Sequence, residues 1–200
     1  MRTAIQHLKR ADPVLSAIIE RVGSYGMEFH EPGFETLVKS IISQQLNGKV
    51  ARIMYSRLIA AAGGRLTPET LLKLRPARMR SLGLSRQKIA YTRDLARHAR
   101  SGTVDFARLP GCSDEEVIEH LTAVKGIGVW TAHMFLIFAL RRPNVLPTGD
   151  LGIKVAIQRA YGLAGLPKPA EVESLAQPWH PYCSVASWYL WRSLETNAGL

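Results

Sequence analysis

Apolar residues recur at intervals of three and four along nearly the whole chain of 200 residues. One such set follows the turn Glu31-Pro32-Gly33 and consists of Phe34, Leu37, Val38, Ile41 and Ile42. Another follows Asn47-Gly48 and consists of Val50, Ile53, Met54 and Leu58. This spacing matches the repeat of a helix that buries one face. No long stretch alternates with period two, so the pattern predicts an all-α, multi-helix protein.

Start and stop signals flank several of these periodic segments. Asp12-Pro13 is a typical helix start and Gly23 a typical stop. Ser113 and Glu116 have the spacing of a capping box, which predicts another helix start. Later helices are predicted from Val129 to Leu140, from Gly149-Asp150 to near Gly162, and from Pro181 to about Leu194.

The positive charge of the chain is concentrated in one stretch. The formal net charge is +10, and residues 73–100 carry nine basic residues against a single acidic residue, Asp94. The nine are Lys73, Arg75, Arg78, Arg80, Arg86, Lys88, Arg93, Arg97 and Arg100. Such an excess indicates a polyanionic partner. Two interpretations stay open: a solvated, arginine-rich helical surface, or a surface that binds phosphates in a salt-dependent way.

The rest of the composition excludes several classes of protein. Two cysteines, Cys112 and Cys183, are too few for a disulfide framework, a four-thiolate zinc site or an iron–sulfur cluster. No apolar stretch reaches the roughly 18 residues of a membrane helix, and the N-terminus lacks the apolar core of a signal peptide. We therefore expect an intracellular protein without a membrane segment or a metal site, cytoplasmic in a bacterium and nuclear in a eukaryote.

A Gly-x-Gly turn joins two of the predicted helices. In Gly126-Ile127-Gly128 the glycine backbone is uncovered, and the following helix offers unpaired N–H groups that suit a phosphate. Ile127 can point into the core between the glycines. Taken alone, the pattern favours an ordinary helix–helix turn with a glycine C-cap.

Longer motifs around this turn resemble a known family. Val-Lys-Gly-Ile-Gly-Val-Trp-Thr-Ala (124–132), followed by Leu-Pro-Thr-Gly-Asp-Leu-Gly-Ile-Lys (146–154), is similar to the helix–hairpin–helix, Gly/Pro-rich loop and aspartate (HhH-GPD) signature of the DNA glycosylase superfamily. Residues 34–45 and 179–186 resemble the early and closing helices of its AlkA-type 3-methyladenine DNA glycosylases. The likeness runs from about residue 12 to residue 194, and it implies a compact form without an N-terminal β-domain.

The resemblance also implies the domain organisation. We expect a single all-helical glycosylase domain over residues 1–200, made of two helical lobes around a central cleft. The central lobe would be roughly residues 34–140, which include the hairpin. The second lobe would combine residues 1–33 with residues 141–200.

The resemblance makes Asp150 the catalytic carboxylate. It would stabilise the positive charge that develops on the sugar as the N-glycosidic bond breaks, and it could orient or deprotonate the attacking water. The alternative is that an aspartate at a helix start is only an N-cap.

Aromatic residues near the motif are candidates for the base pocket. Trp130 and Trp191 match pocket aromatics of the AlkA type, with Met134 and Trp188 as further candidates, although helical spacing favours a core position for Trp188. Bifunctional relatives have a lysine at the position of Trp130, where it forms a Schiff base with the sugar. A tryptophan there implies a monofunctional enzyme.

Two further sets of residues are expected to contact DNA. Phosphate binding is expected from Lys125, Gly126, Gly128, Val129 and Thr131. In Ser43-Gln44-Gln45-Leu46-Asn47, either Gln45 or Leu46 is a candidate for a wedge that fills the gap left by a flipped base. A polar helix end is nearly as good an explanation for either residue.

The function that these residues predict is excision of alkylated purines, of the 3-methyladenine and 7-methylguanine type, from double-stranded DNA in base excision repair. We expect a monomer without a cofactor, and the resemblance allows a structural monovalent ion at the hairpin. Two alternatives stay open. One is a glycosylase for another lesion (uracil, hypoxanthine or a mismatch product), and the other is a non-catalytic helix–hairpin–helix DNA-binding module.

Overall fold

The computed structural model describes residues 1–195. Within that range the chain forms twelve α-helices and no strand, which confirms the all-α prediction. The helices are α1 (Arg2–Ala11), α2 (Pro13–Val22), α3 (Phe34–Ser43), α4 (Gly48–Ala61), α5 (Pro68–Lys73), α6 (Pro76–Ser81), α7 (Arg86–Ser101), α8 (Asp114–Thr122), α9 (Val129–Phe138), α10 (Leu151–Tyr161), α11 (Pro169–Ala176) and α12 (Cys183–Glu195). No helix in the described range is long and apolar enough to cross a membrane.

The start signals in the sequence mark real helix starts. The Asp12 carboxylate accepts hydrogen bonds from the first turn of α2, and Ser113 with Glu116 forms the predicted capping box of α8. Asp150 is the N-cap of α10. Because these side chains satisfy N–H groups that a helix start leaves unpaired, they fix where each helix begins.

Contacts divide the chain into two compact units. The first comprises Met1–Phe29 and Arg141–Leu200, and the second comprises His30–Leu140. Residues 196–200 of the expected domain lie outside the described residues. In the first unit α12 packs on α2 and α10, and in the second α7 packs on α3 and α5.

One prediction about the core is wrong. Val50 and Ile53 were expected on the buried face of α4, but their side chains are 42% and 45% exposed. Helix α4 buries Ala51 and Leu58 instead. The apolar pattern alone cannot show which part of an apolar face a neighbouring helix covers.

Candidate active site and nucleic-acid interface

Asp150 lies at the start of α10 with its carboxylate fixed from two sides. Its Oδ1 atom accepts hydrogen bonds from the Ile153 backbone N–H and from the Trp191 indole N–H, both at 2.8 Å. The residue is 9% exposed. Two donors on one oxygen of a nearly buried carboxylate set its orientation. The N-cap contact predicted from sequence is present, and the indole contact is an addition that the sequence did not predict.

Gly152 makes room for that indole contact. A Cβ atom placed on Gly152 would lie 3.0 Å from Asp150 Oδ1 and 3.0 Å from Trp191 Cδ1. Both distances are shorter than an ordinary van der Waals contact. A glycine in the first turn of α10 therefore allows the indole to reach the carboxylate. The signal for this role was present in the sequence as a glycine two residues after the aspartate.

The loop before Asp150 is attached to the start of α12. The Ser184 hydroxyl donates to the Arg142 carbonyl (2.7 Å) and accepts from the Val145 N–H (2.9 Å). The Ser184 N–H donates to the Pro143 carbonyl at 3.0 Å. Helix α12 thus holds both the loop that leads to Asp150, through Ser184, and the carboxylate itself, through Trp191.

A second buried carboxylate offers a structural counterpart to Asp150. Asp12 Oδ1 accepts from the Val14 and Leu15 N–H groups (2.9 and 3.0 Å), as an N-cap does. Asp12 Oδ2 accepts from the Trp179 indole N–H (2.7 Å) and from the Tyr161 hydroxyl. Burial, together with this bond to Asp12, raises the pKa of the Tyr161 phenol. Asp12 therefore uses both of its oxygens to join three segments of its unit.

Helix α7 contacts the hairpin (residues 125–128) through Tyr91 and Asp94. Gly126 has a φ of +86°, and a Cβ atom there would lie 2.0 Å from the Tyr91 ring, so only glycine fits. The Lys125 N–H donates to Asp94 Oδ2 at 2.9 Å, and Ile127 is buried as expected. Asp94, the one acidic residue of the basic stretch, thus anchors the hairpin.

The predicted phosphate-binding residues differ in exposure. Lys125, Gly128 and Val129 are exposed, Gly126 is half-buried, and the Thr131 side chain is buried. Gly128 is the extended N-cap of α9, with no side chain of its own to occupy the helix start. An exposed helix start that lacks a side-chain cap suits an anion.

The predicted pocket residues fall in different surroundings. Trp130, in the first turn of α9, is 47% exposed, and Met134 lies one helical turn further on and is half-buried. Trp191 is half-buried and donates to Asp150. Trp188 is buried and packs on Tyr25, with ring centroids 4.7 Å apart, as a core residue does.

The wedge loop (residues 44–47) has an unusual backbone at its tip. Gln45 has a φ of +57° and is exposed, whereas Leu46 is half-buried. A glutamine adopts this left-handed conformation only where its surroundings hold it. The Gln44 side-chain amide donates to the Gly126 carbonyl of the hairpin at 2.9 Å.

The residues of the basic stretch fall into two groups. Lys88 donates to the carbonyls of Ile42 and Gln44, and Arg93 donates to the carbonyls of Leu72 and Leu74, so both cations stabilise helix ends. The remaining seven basic side chains are exposed: Lys73, Arg75, Arg78, Arg80, Arg86, Arg97 and Arg100. Arg97 also pairs with Asp94 at 3.2 Å.

Within residues 1–195, no group of three histidine, cysteine, aspartate or glutamate side chains could hold a metal ion. At the hairpin, the Val124 and Gly126 carbonyls already accept hydrogen bonds from the Ile127 N–H and the Gln44 amide.

Comparison with known proteins identifies the family. Residues 38–181 match the HhH-GPD superfamily of base excision DNA repair proteins. The crystal structure of a DNA-3-methyladenine glycosidase from Bacillus halodurans is 36% identical, with a TM-score of 0.88, over 98% of this chain and 89% of that one. A 3-methyladenine DNA glycosylase from Schizosaccharomyces pombe, solved in complex with abasic DNA, is 34% identical, with a TM-score of 0.82, over 94% and 95% of the two chains.

One curated relative, from Bacillus subtilis (strain 168), is longer. It is 35% identical over 188 residues, which are 90% of this chain, and the chain spans 66% of its length. The family match and the two solved structures nevertheless cover most of the present sequence. The chain belongs to the HhH-GPD superfamily of base excision DNA repair proteins, as one of its 3-methyladenine DNA glycosylases.

Proposed function

We propose that this chain, acting as a monomer on double-stranded DNA, hydrolyses the N-glycosidic bond of alkylated purines and leaves an abasic site. The observation that carries the proposal is the Asp150 carboxylate, fixed by two donors and nearly buried at a helix start. It follows the hairpin in a family of base excision repair proteins. The compartment follows from the substrate: the nucleoid of a bacterium, or the nucleus of a eukaryote.

The reaction needs a negative charge and a water molecule. As the bond breaks, its electron pair leaves with the base and positive charge develops on the sugar, which a fixed carboxylate stabilises. The water oxygen bonds to the sugar carbon and gives up a proton, for which Asp150 is the nearby base. Alkylation at N3 or N7 makes the purine cationic and a good leaving group, so a strong general acid is unnecessary.

The remaining contacts to DNA are proposals of the same kind. Lys125, Gly126, Gly128, Val129 and Thr131 would hold phosphate through the hairpin and the start of α9. Their support is the exposed, uncapped helix start at Gly128. The S. pombe relative, which was solved with abasic DNA, supports DNA as the partner.

Aromatic side chains would select the damaged base. A cationic purine is attracted to an electron-rich ring by about 0.5 to 2 kcal/mol. Trp130 has the exposure that such a contact needs, and Met134 lies on the same side of α9. Trp191 would contact the base in addition to holding Asp150. Trp188, buried beside Tyr25, has less support.

The subclass is proposed from Trp130. Because an indole has no amine to form a Schiff base, the enzyme would release the base without cutting the strand. Borohydride added during the reaction should trap no covalent adduct with methylated DNA. A robust adduct would overturn the monofunctional proposal and leave base release intact.

Release of free bases from methylated DNA tests the proposed activity. We expect the purified chain to release 3-methyladenine and 7-methylguanine, measured by chromatography at a temperature where spontaneous loss is slow. Release of uracil or hypoxanthine from duplexes that carry those bases, with no release from methylated DNA, would favour a glycosylase for another lesion. DNA binding without release of any base would favour the non-catalytic module.

A further inference from the structure

Lys88 on α7 is half-buried, whereas seven other basic residues of the stretch are exposed. Its Nζ atom donates to the Ile42 carbonyl at 2.5 Å and to the Gln44 carbonyl at 2.8 Å. Helix α3 ends at Ser43, so these are carbonyls at a helix end that lack partners within the helix. Burial lowers the pKa of the Lys88 ammonium, in agreement with a charge withdrawn from water. Lys88 is therefore committed to the wedge loop and not to a phosphate.

The wedge loop is also attached to the hairpin. While the Gln44 backbone binds Lys88, its side-chain amide donates to the Gly126 carbonyl. The next residue, Gln45, is exposed and has the left-handed backbone noted above. Gln44 is thus fixed at both its backbone and its side chain immediately before the tip.

The same face of α7 holds the hairpin. Lys88, Tyr91 and Asp94 are three residues apart and so lie along one side of the helix. Tyr91 packs against Gly126, and Asp94 accepts the Lys125 N–H. One helix face therefore sets the position of the wedge loop relative to the hairpin.

We propose that Lys88 and Gln44 are positioning residues for base flipping, which hold the tip Gln45 at a fixed distance from the phosphate-binding hairpin. This inference rests on the proposed function. A wedge is useful only while the lesion must be unpaired and unstacked from a duplex. Loss of Lys88 should therefore slow excision when the lesion has a pairing partner, and have little effect when it has none.

The test compares two duplexes that carry the same 7-methylguanine. In one the lesion is opposite cytosine, and in the other it is opposite a stable abasic analogue, so that no pair has to be broken. Single-turnover release is measured for the full chain and for Lys88→Met. We expect release to fall at least about tenfold on the paired duplex and less than about threefold on the unpaired one.

Arg93→Met is the matched control. Arg93 lies on the same helix and makes the same kind of contact, but it donates to two carbonyls at the end of α5 and not to carbonyls of the wedge loop. If Lys88 acted only by stabilising a helix end, Lys88→Met and Arg93→Met should reduce base release to a similar extent. We expect Arg93→Met to release base at less than about a threefold reduced rate from both duplexes.

Gln44→Met removes only the amide contact to Gly126 and keeps the inference testable if Lys88→Met does not fold. It should show the same preference for the unpaired duplex. Equal losses on both duplexes, or no loss on either, would overturn the inference while leaving the proposed function intact. Absence of release by the unmodified chain from both duplexes would overturn the proposed function and this inference with it.

Discussion

Gly152→Ala is expected to slow base release without unfolding the protein. The backbone of Gly152 lies in α10, where alanine is more favourable than glycine by about 1 kcal/mol. The added methyl group would nevertheless lie 3.0 Å from Asp150 Oδ1, 3.0 Å from Trp191 Cδ1 and 3.3 Å from Trp191 Nε1. The least constrained of these groups is the half-buried indole, and moving it stretches the bond to Asp150.

The size of the effect follows from that bond. A hydrogen bond to a charged group contributes about 1.5 to 3 kcal/mol, and each 1.4 kcal/mol corresponds to about a tenfold change in rate. If the contact holds the carboxylate in the transition state, its loss should slow base release by about 10- to 100-fold. Loss of the same bond also destabilises the folded chain, and the gain in helix propensity offsets about 1 kcal/mol of that loss, so the free energy of unfolding should fall by only about 0.5 to 2 kcal/mol.

The assay is single-turnover release of 7-methylguanine, with urea denaturation as the measure of stability. Gly165→Ala is the control, because a Cβ atom there meets nothing within 4 Å. Trp191→Phe removes the same hydrogen bond, so the double variant with Gly152→Ala should lose no more activity than the worse single variant. An unchanged rate in Gly152→Ala, or fully additive losses, would refute the reasoning.

Two predictions concern stability. Ser184→Ala should lower the free energy of unfolding by about 1 to 3 kcal/mol, seen in urea denaturation, because the buried hydroxyl has partners in Arg142 and Val145; a change below about 0.5 kcal/mol would contradict this. Burial lowers the pKa of His133 below its ordinary value of 6.5, an effect larger than the opposing influence of Asp114. Below pH 6.5 the unfolded chain then binds more protons than the folded chain, so the melting temperature should fall as the pH drops through that range. In His133→Gln, which lacks the titrating ring, the melting temperature should fall less over the same range. An identical pH profile in His133→Gln would contradict it.

Local signals in the sequence were sufficient for most of the helices. Asp12, Ser113 and Asp150 each cap a helix as predicted, because a cap depends on residues within one turn. Helices α1 and α11 were not predicted, because their N-cap residues, Met1 and Lys168, are not of the types that usually cap a helix. Val50 and Ile53 were predicted to be buried but are exposed, because the apolar face of α4 is wider than the surface that its neighbours cover.

The sequence names candidate residues for the site but not the contacts between them. The motif located Asp150 and the hairpin, but the Trp191 bond to Asp150 joins residues 41 positions apart. The Lys88 bond to the Gln44 carbonyl spans 44 positions. A carbonyl is present at every residue, so the sequence carries no signal for which one a lysine will bind. Because backbone carbonyls leave no mark in the sequence, net charge placed Lys88 and Arg93 on the exposed basic surface. In the structure both donate to carbonyls at helix ends.

The most direct measurement compares Asp150→Asn with Asp12→Asn in base release from methylated DNA and in thermal stability. The asparagine oxygen can still accept from the Ile153 and Trp191 donors at position 150, so this variant should remain close to the unmodified chain in stability and lose at least about 100-fold in release. At position 12 an amide would face the Trp179 and Tyr161 donors, so that variant should lose about 1 to 3 kcal/mol of stability and keep its release rate where it is folded. Release by Asp150→Asn at the rate of the unmodified chain would contradict the assignment of Asp150 as the catalytic carboxylate.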